Sequence, residues 1–339
     1  MSRALDKDVL NFLSQGDPGK AYDDISCLFD SPRDDGLLEI EILGKSQPLV
    51  PDVSFLADGN AVGIPKIRLF QAFSVAYKRF QQSVLRPDPR ASDYDSNILL
   101  RPTAVLLLAD PEHLTAANTR KRAILRNVKD SRDIKGTLGR EKWFVDSLLT
   151  SRLHRHTKSP ILWSHRRWLL TQFQKYKLQL DIPTEIRTII LTSGERHPKN
   201  YYAWEHARWL LRTFVDRQAE ETTILQEIAA DVRDWCLKHH SDISGWAYLH
   251  FVLRRGGVEL AGERSGAFRG ILQMAESFKW KNESVWWFIH AMVATNLLPP
   301  EDVSLLEEIG GRMFGLGPGG TDSDRPAKWF RIFRESQTI

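Results

Sequence analysis

One spacing governs this sequence: tryptophan returns near the start of similar segments roughly every 40 residues. Aligning AANTRKRAIL (116–125), LWSHRRWLL (162–170), AWEHARWLL (203–211), GWAYLHFVL (245–253) and VWWFIHAMV (285–293) puts Ala117, Trp163, Trp204, Trp246 and Trp286 in one column. The intervals are 46, 41, 42 and 40 residues. Three or four places on stands a basic or ring-nitrogen side chain: Arg120 and Lys121, Arg166 and Arg167, Arg208, His250, His290. Apolar residues fill the next places. Positions i, i+3, i+4 and i+7 share one helical face, so the tryptophan, the base and the last aliphatic residue lie together. A repeated tryptophan marks a repeated packing site, because no side chain buries more surface.

Asn200, Asp242 and Asn282 each fall four residues before their tryptophan, where an N-cap satisfies a free backbone N–H. Helical stretches at 141–153, 183–196, 219–238 and 263–279 lie upstream of the last four columns. The unit is helix, short turn, tryptophan helix, and such hairpins bury their apolar faces only by stacking. The expected fold is all-α, an α–α superhelix of stacked helical hairpins over 66–339. Residues 300–314 read as the first helix of a further pair, within a C-terminal cap at 300–339. The glycine-rich 315–326 lacks the order of a phosphate-binding loop and reads as a linker before AKWFRIF.

Residues 1–65 differ. LLEIEIL (37–43) alternates apolar and acidic residues at strand period, and the prolines and Asp-Gly-Asn that follow are turn-forming. A helical start followed by a short β-hairpin or an extended arm is expected. Residues 65–85 turn helical, and 86–97 reads as a surface loop.

The balance of 47 basic against 43 acidic residues argues against a dedicated nucleic-acid binder. Cys27 and Cys236 give neither a disulfide framework nor a metal knuckle, which fits a reducing compartment. Without a signal-peptide core or a membrane-length apolar run, the expected location is cytoplasmic.

The 34-residue tetratricopeptide opening is absent, and HEAT repeats carry no tryptophan mark. KSPILWSHRRWLL and KNYYAWEHARWLL instead resemble the repeat of the protein prenyltransferase α subunit family, roughly N-Y-x-x-W-x-x-R-x-x-L-L, and the likeness runs over about 100–293. Ala117 replaces the first tryptophan, Ala207 an arginine, and His250 and His290 stand where arginine is usual. The resemblance implies a crescent of helix pairs around a β subunit of the Rab geranylgeranyltransferase type. Such a heterodimer transfers a geranylgeranyl group from its diphosphate to a cysteine of a protein that can already carry a farnesyl group. Zinc is expected in the β subunit and no metal in this chain, whose tight histidine cluster, His154, His156 and His165, has no nearby cysteine or carboxylate pair.

A departing diphosphate needs cations and hydrogen-bond donors. Residues 147–180 hold no Asp or Glu but carry Arg152, Arg155, Lys158, Arg166, Arg167, Lys175 and Lys177. Such a stretch makes a positive field suited to an anion, or complements acidic neighbours such as Glu185 or Glu195. Lys158 and Lys199 precede Trp163 and Trp204 by five residues, in turns that lead to helix N-termini. The resemblance carries diphosphate contact over to Lys158, Tyr201 and Tyr202, with Lys158 and Tyr201 nearest the chemistry; Lys199, the equivalent of Lys158 one repeat on, and Asn200 join them as candidate diphosphate-binding residues. Trp163, Trp204, Trp246 and Trp286 read as packing residues. Arg166, Arg167 and Arg208 read as partners of carboxylates between helices or across a subunit interface. The alternative function is a helical-repeat scaffold without catalysis.

Overall fold

The computed structural model describes residues 17–32, 36–44, 53–85, 96–130, 133–216, 220–314 and 330. The expected loop at 86–97, apart from its last two residues, and the linker and cap beyond 314, apart from Phe330, lie outside them. Contacts divide the chain into two compact units, Met1–Leu180 and Asp181–Ile339.

The first described element of this unit is α1 (Pro18–Cys27), capped by Asp17, whose carboxylate accepts the N–H groups of Gly19 and Lys20. Three short strands follow: β1 (Glu39–Leu43), β2 (Leu56–Asp58) and β3 (Ala61–Pro65), in the order β1-β3-β2. β2 and β3 form an antiparallel hairpin around Gly59-Asn60, with Asp58 opposite Ala61. Gly59 takes φ +53° there, a conformation that favours glycine. β1 adds to β3 in parallel, so the arm is a hairpin plus one strand. Its alternation is used as the sequence suggests: Leu38 and Ile40 are buried, Glu39 and Glu41 exposed.

Five helices follow among the described residues: α2 (Lys66–Leu85), α3 (Ser96–Ala109), α4 (Leu114–Asp130), α5 (Ile134–Thr150) and α6 (Pro160–Lys175). α5 starts seven residues before the expected 141, because Asp133 caps it through the N–H of Gly136 at 2.8 Å. Its serines close the outer edge of β1. Ser147 Oγ accepts the N–H of Leu38 at 3.1 Å and Ser151 Oγ that of Ile40 at 2.9 Å, while the N–H of Arg152 donates to the Ile40 carbonyl at 3.1 Å. An edge strand left open would expose these groups.

α5 also carries two buried carboxylates. Nε of Arg120, on α4, donates to both oxygens of Glu141 at 2.8 and 2.9 Å, and its guanidinium lies 3.9 Å over the Phe144 ring. Nε of Arg166, on α6, donates to Asp146 at 2.7 Å, and Lys142 reaches the other oxygen at 2.7 Å. Burial alone would raise both acids, but their partners prevail: the Arg120 cation, with His165 hydrogen-bonded beside it, holds Glu141 at about 2, and Arg166 and Lys142 hold Asp146 low.

The second unit continues the helical repeat. α7 (Ile182–Glu185) runs through a π-helical turn (Ile186–Leu191) into α8 (Thr192–Arg196). α9 (Tyr201–Leu210) likewise ends in a π-helical turn, Leu211–Val215. Then come α10 (Glu221–Lys238), α11 (Ile243–Arg255), α12 (Ala261–Ser277), α13 (Glu283–Val293) and α14 (Pro300–Phe314). The column tryptophans pack on rings of other helices: Trp204 on Trp235 at 5.2 Å, Trp246 on Phe288 at 5.2 Å and Trp286 on Phe314 at 4.7 Å between centroids. Three places after the column, the buried Arg120 and Arg166 of the first unit give way to Ala207, Leu249 and Ile289, all buried. Ionic stapling yields to apolar packing, which needs no paired charge. No described helix is long and apolar enough to cross a membrane.

Candidate functional site: the turns before the tryptophan helices

Three of the four tryptophan helices open from a turn capped by a short-range side-chain hydrogen bond. Ser159 Oγ accepts the N–H of Leu162 at 3.2 Å, Asn200 Oδ1 that of Ala203 at 3.3 Å, and Asp242 Oδ1 those of Ser244 and Gly245 at 2.9 and 3.2 Å. Asn282 departs from its expected role. Its side chain caps nothing and its amide donates instead to the carbonyl of His240, in the preceding turn.

The tryptophan ties the turn from the other side. The indole N–H of Trp163 donates to Thr157 O at 2.9 Å, Trp246 to His240 O at 2.9 Å and Trp286 to Trp280 O at 2.8 Å. In each case the acceptor lies six residues upstream. The buried indole nitrogen of Trp204 has no such partner. Successive turns are also joined. Ser159 Oγ donates to Pro111 O at 3.1 Å in the first unit; in the second, Lys199 N–H donates to Asp242 Oδ2 at 2.6 Å and Ser284 Oγ to Ser241 O at 3.0 Å.

These turns carry the residues singled out from the sequence. In the first unit, Lys158 is exposed, just before the cap Ser159. In the second, Lys199 is exposed and holds φ +58°, a left-handed backbone fixed by the bond to Asp242. Tyr201 and Tyr202 are 68% and 39% exposed, ring edge to ring face at 5.6 Å. So large an exposed aromatic area at a helix N-terminus is unlike the rest of the repeat. Asn200 stands apart from these four: it is buried and its amide is spent on Ala203 and Ser193, so it shapes the turn and does not face outward. The helices on both sides of this turn contain the two π-helical segments, a distortion that often accompanies functional sites.

The cations of 147–180 divide. Arg166 is wholly buried against Asp146, Arg155 lies 3.0 Å from Asp110 and Arg152 4.0 Å from Glu39. The positive field of this stretch is therefore partly cancelled by acids distant in sequence. Arg167 is exposed, and Arg208 is half-buried, where burial lowers its pKa and the rings of Tyr248 and Phe251 lie 5.8 and 5.9 Å away.

The three histidines near 160 do not converge. His154 is exposed; His156 is buried with Nε2 2.9 Å from Leu108 O, and burial pushes its pKa down to about 4; Nε2 of His165 lies 3.0 Å from Glu141. No cluster of three metal-ligating side chains occurs among the described residues.

Sequence reasoning missed Ser159, Glu141 and Asp146, and it saw Asp242 only as a cap. Ser159 was legible, since Ser-Pro before an apolar run is a helix-start signal. A protein-family model described as ECM9 middle domain matches residues 162–266, under a third of the chain. That span takes in Trp163, Arg166, the 199–202 turn, Trp204 and Trp246, but not Lys158. No curated protein matches the chain.

Proposed function

We propose that this chain is the α-type subunit of a heterodimeric protein prenyltransferase, inactive alone, whose repeat turns help hold an isoprenoid diphosphate for a β subunit. The observation that carries the reading is the 199–202 turn: Lys199, Tyr201 and Tyr202 point outward from a backbone that Asp242 and Asn200 fix. An ammonium group and two phenol hydroxyls at a helix N-terminus are donors suited to a diphosphate. Lys158 holds the matching place one repeat earlier, and the resemblance to prenyltransferase α subunits implies diphosphate contact for it. The transferred group is geranylgeranyl, the acceptor a cysteine of a protein that can already be farnesylated, and the zinc that ionises the thiol belongs to the β subunit. The working compartment is the cytoplasm.

A second reading, a scaffold of helical repeats, is favoured by the buried Arg166–Asp146 pair and the paired Arg155, which spend cations on structure. Co-expression with candidate β subunits, purification through this chain, and assay of geranylgeranyl transfer to farnesylated and unmodified acceptors separates the two. A stable complex with transfer activity is expected. If no β subunit co-purifies, the enzyme reading fails and the scaffold reading stands.

A further inference from the structure

A cleft of about 490 Å³ opens in the first unit, where residues following α1 meet α3, α4 and α5. It contains none of the turn residues discussed above. Its size lies within the range of small-molecule sites. Its lining is mixed: Ile98, 60% exposed, stands on the rim, while Phe29 and Ile124, 9% and 2% exposed, offer only their edges beside the polar Asn127 and Thr137. Three guanidinium groups also line it, those of Arg101, Arg120 and Arg140, against two carboxylates, Asp30 and Glu141.

The charges are not evenly matched. Arg101 Nε donates to Asp30 at 2.9 Å, and Arg120, itself only 4% exposed, is joined to Glu141. Each acid thus has its own arginine. Arg140 is exposed on α5 and has no acidic partner among the described residues. The cleft therefore carries one unmatched positive charge beside apolar surface, and its two ion pairs hold the walls in place.

We propose that this cleft binds a small amphiphilic monoanion, its charged head on Arg140 and its apolar body against Phe29, Ile98 and Ile124. A single guanidinium suits a carboxylate or similar head through paired N–H donors. Covering the exposed Ile98 and the edges of Phe29 and Ile124 adds to that affinity by burial. A dianion would leave a second charge unmatched, and a neutral lipid would leave Arg140 unused.

Isothermal titration of the full chain with decanoate tests this, with decanol as the body without the head and acetate as the head without the body. Saturable binding of decanoate at one site is expected, with decanol and acetate weaker by tenfold or more. Arg140→Glu and Ile98→Trp alter exposed side chains, so circular dichroism and urea midpoints should show the fold intact. Each should weaken decanoate about tenfold or more, the first by removing a charge-assisted bond and the second by narrowing the mouth. No saturable decanoate binding below about 1 mM, a limit near −4 kcal/mol, overturns the proposal. So does unchanged affinity in either variant, or decanol binding as tightly as decanoate. The measurement uses no β subunit and no transfer reaction, so its outcome is independent of the prenyltransferase reading.

Discussion

The carboxylate of Asp242 joins two successive turns: Oδ2 accepts the N–H of Lys199 at 2.6 Å while Oδ1 caps α11 through Ser244 and Gly245. One side chain thus sets a helix start and fixes the left-handed backbone of the turn that bears Tyr201. Asp242→Ala should cost about 2–4 kcal/mol, combining a lost cap with an N–H left without its charged acceptor. Asp242→Asn keeps an acceptor oxygen and should recover much of that loss. Urea denaturation of the three proteins measures it; equal midpoints for Ala and parent would show that the bond to Lys199 contributes nothing.

The buried pair of Arg166 and Asp146 makes a different prediction. Arg166→Ala leaves a buried carboxylate with only Lys142 to offset it and should destabilise by about 3–5 kcal/mol. Removing both charges with apolar residues of similar volume, Arg166→Met with Asp146→Leu, should lie near the parent. The second unit supports this, since Ala207, Leu249 and Ile289 occupy the corresponding place without any ion pair. A double variant as weak as Arg166→Ala would mean that the pair matters beyond cancelling its own charges.

Acid should destabilise the protein in two stages. Burial holds His156 and His290 down to about 4 from an ordinary 6.5, so in the folded protein each stays neutral where the unfolded chain takes a proton. The stability from these two is complete above pH 6.5 and fades as pH falls to about 4. For His156 the full effect is about 3 kcal/mol. Glu141, held at about 2 against an ordinary 4.5, adds a loss between those values as pH falls further. Urea midpoints at pH 7.5, 5 and 3.5 should decline at each step, and a midpoint flat from 7.5 to 4.5 would contradict the histidine assignment.

Gly245, on α11, is constrained from outside its helix. A Cβ added there would meet Cζ3 of Trp235 at 2.6 Å and Sγ of Cys236 at 3.1 Å. Trp235 has no room to withdraw, being stacked on His239 at 4.1 Å and packed on Trp204 at 5.2 Å. Gly245→Ala should therefore cost about 1–3 kcal/mol although alanine favours helices, visible as a lower thermal midpoint. A raised midpoint would show that the indole can move aside.

The repeat was legible because its parts are local. The tryptophan column, the caps at Asn200 and Asp242 and the hairpin at Asp58-Gly59-Asn60 each depend on residues within a few places of one another. What escaped depends on partners far along the chain. Nothing in sequence marks Asp146 as the partner of Arg166 twenty residues on, or Glu39 and Asp110 as acids facing a stretch with none of its own. Asn282 had the right spacing for a cap, yet a carbonyl of the preceding turn claimed its amide. Asn200 was placed on the turn from its motif, but only the fold shows that it is buried there.

The turn at 199–202 gives the sharpest test of the proposed activity. Lys199 and Tyr201 are exposed, and no side-chain bond holds them to other described residues, so their loss should leave the fold unchanged. In a complex with a β subunit, Tyr201→Phe deletes one hydroxyl and keeps the ring against Tyr202. If that hydroxyl donates to the diphosphate, transfer should slow about tenfold or more, the usual worth of a hydrogen bond to a charged group. Lys199→Ala should act similarly and make the reaction less sensitive to salt, since an exposed ammonium works through a screened field. Tyr202→Phe provides the comparison between neighbouring phenols. A functional role predicts slower transfer with the heterodimer and its urea midpoint unaltered, whereas a packing role predicts a lower midpoint with transfer per folded complex preserved. Tyr201→Phe transferring at the parental rate would remove this residue from the diphosphate site.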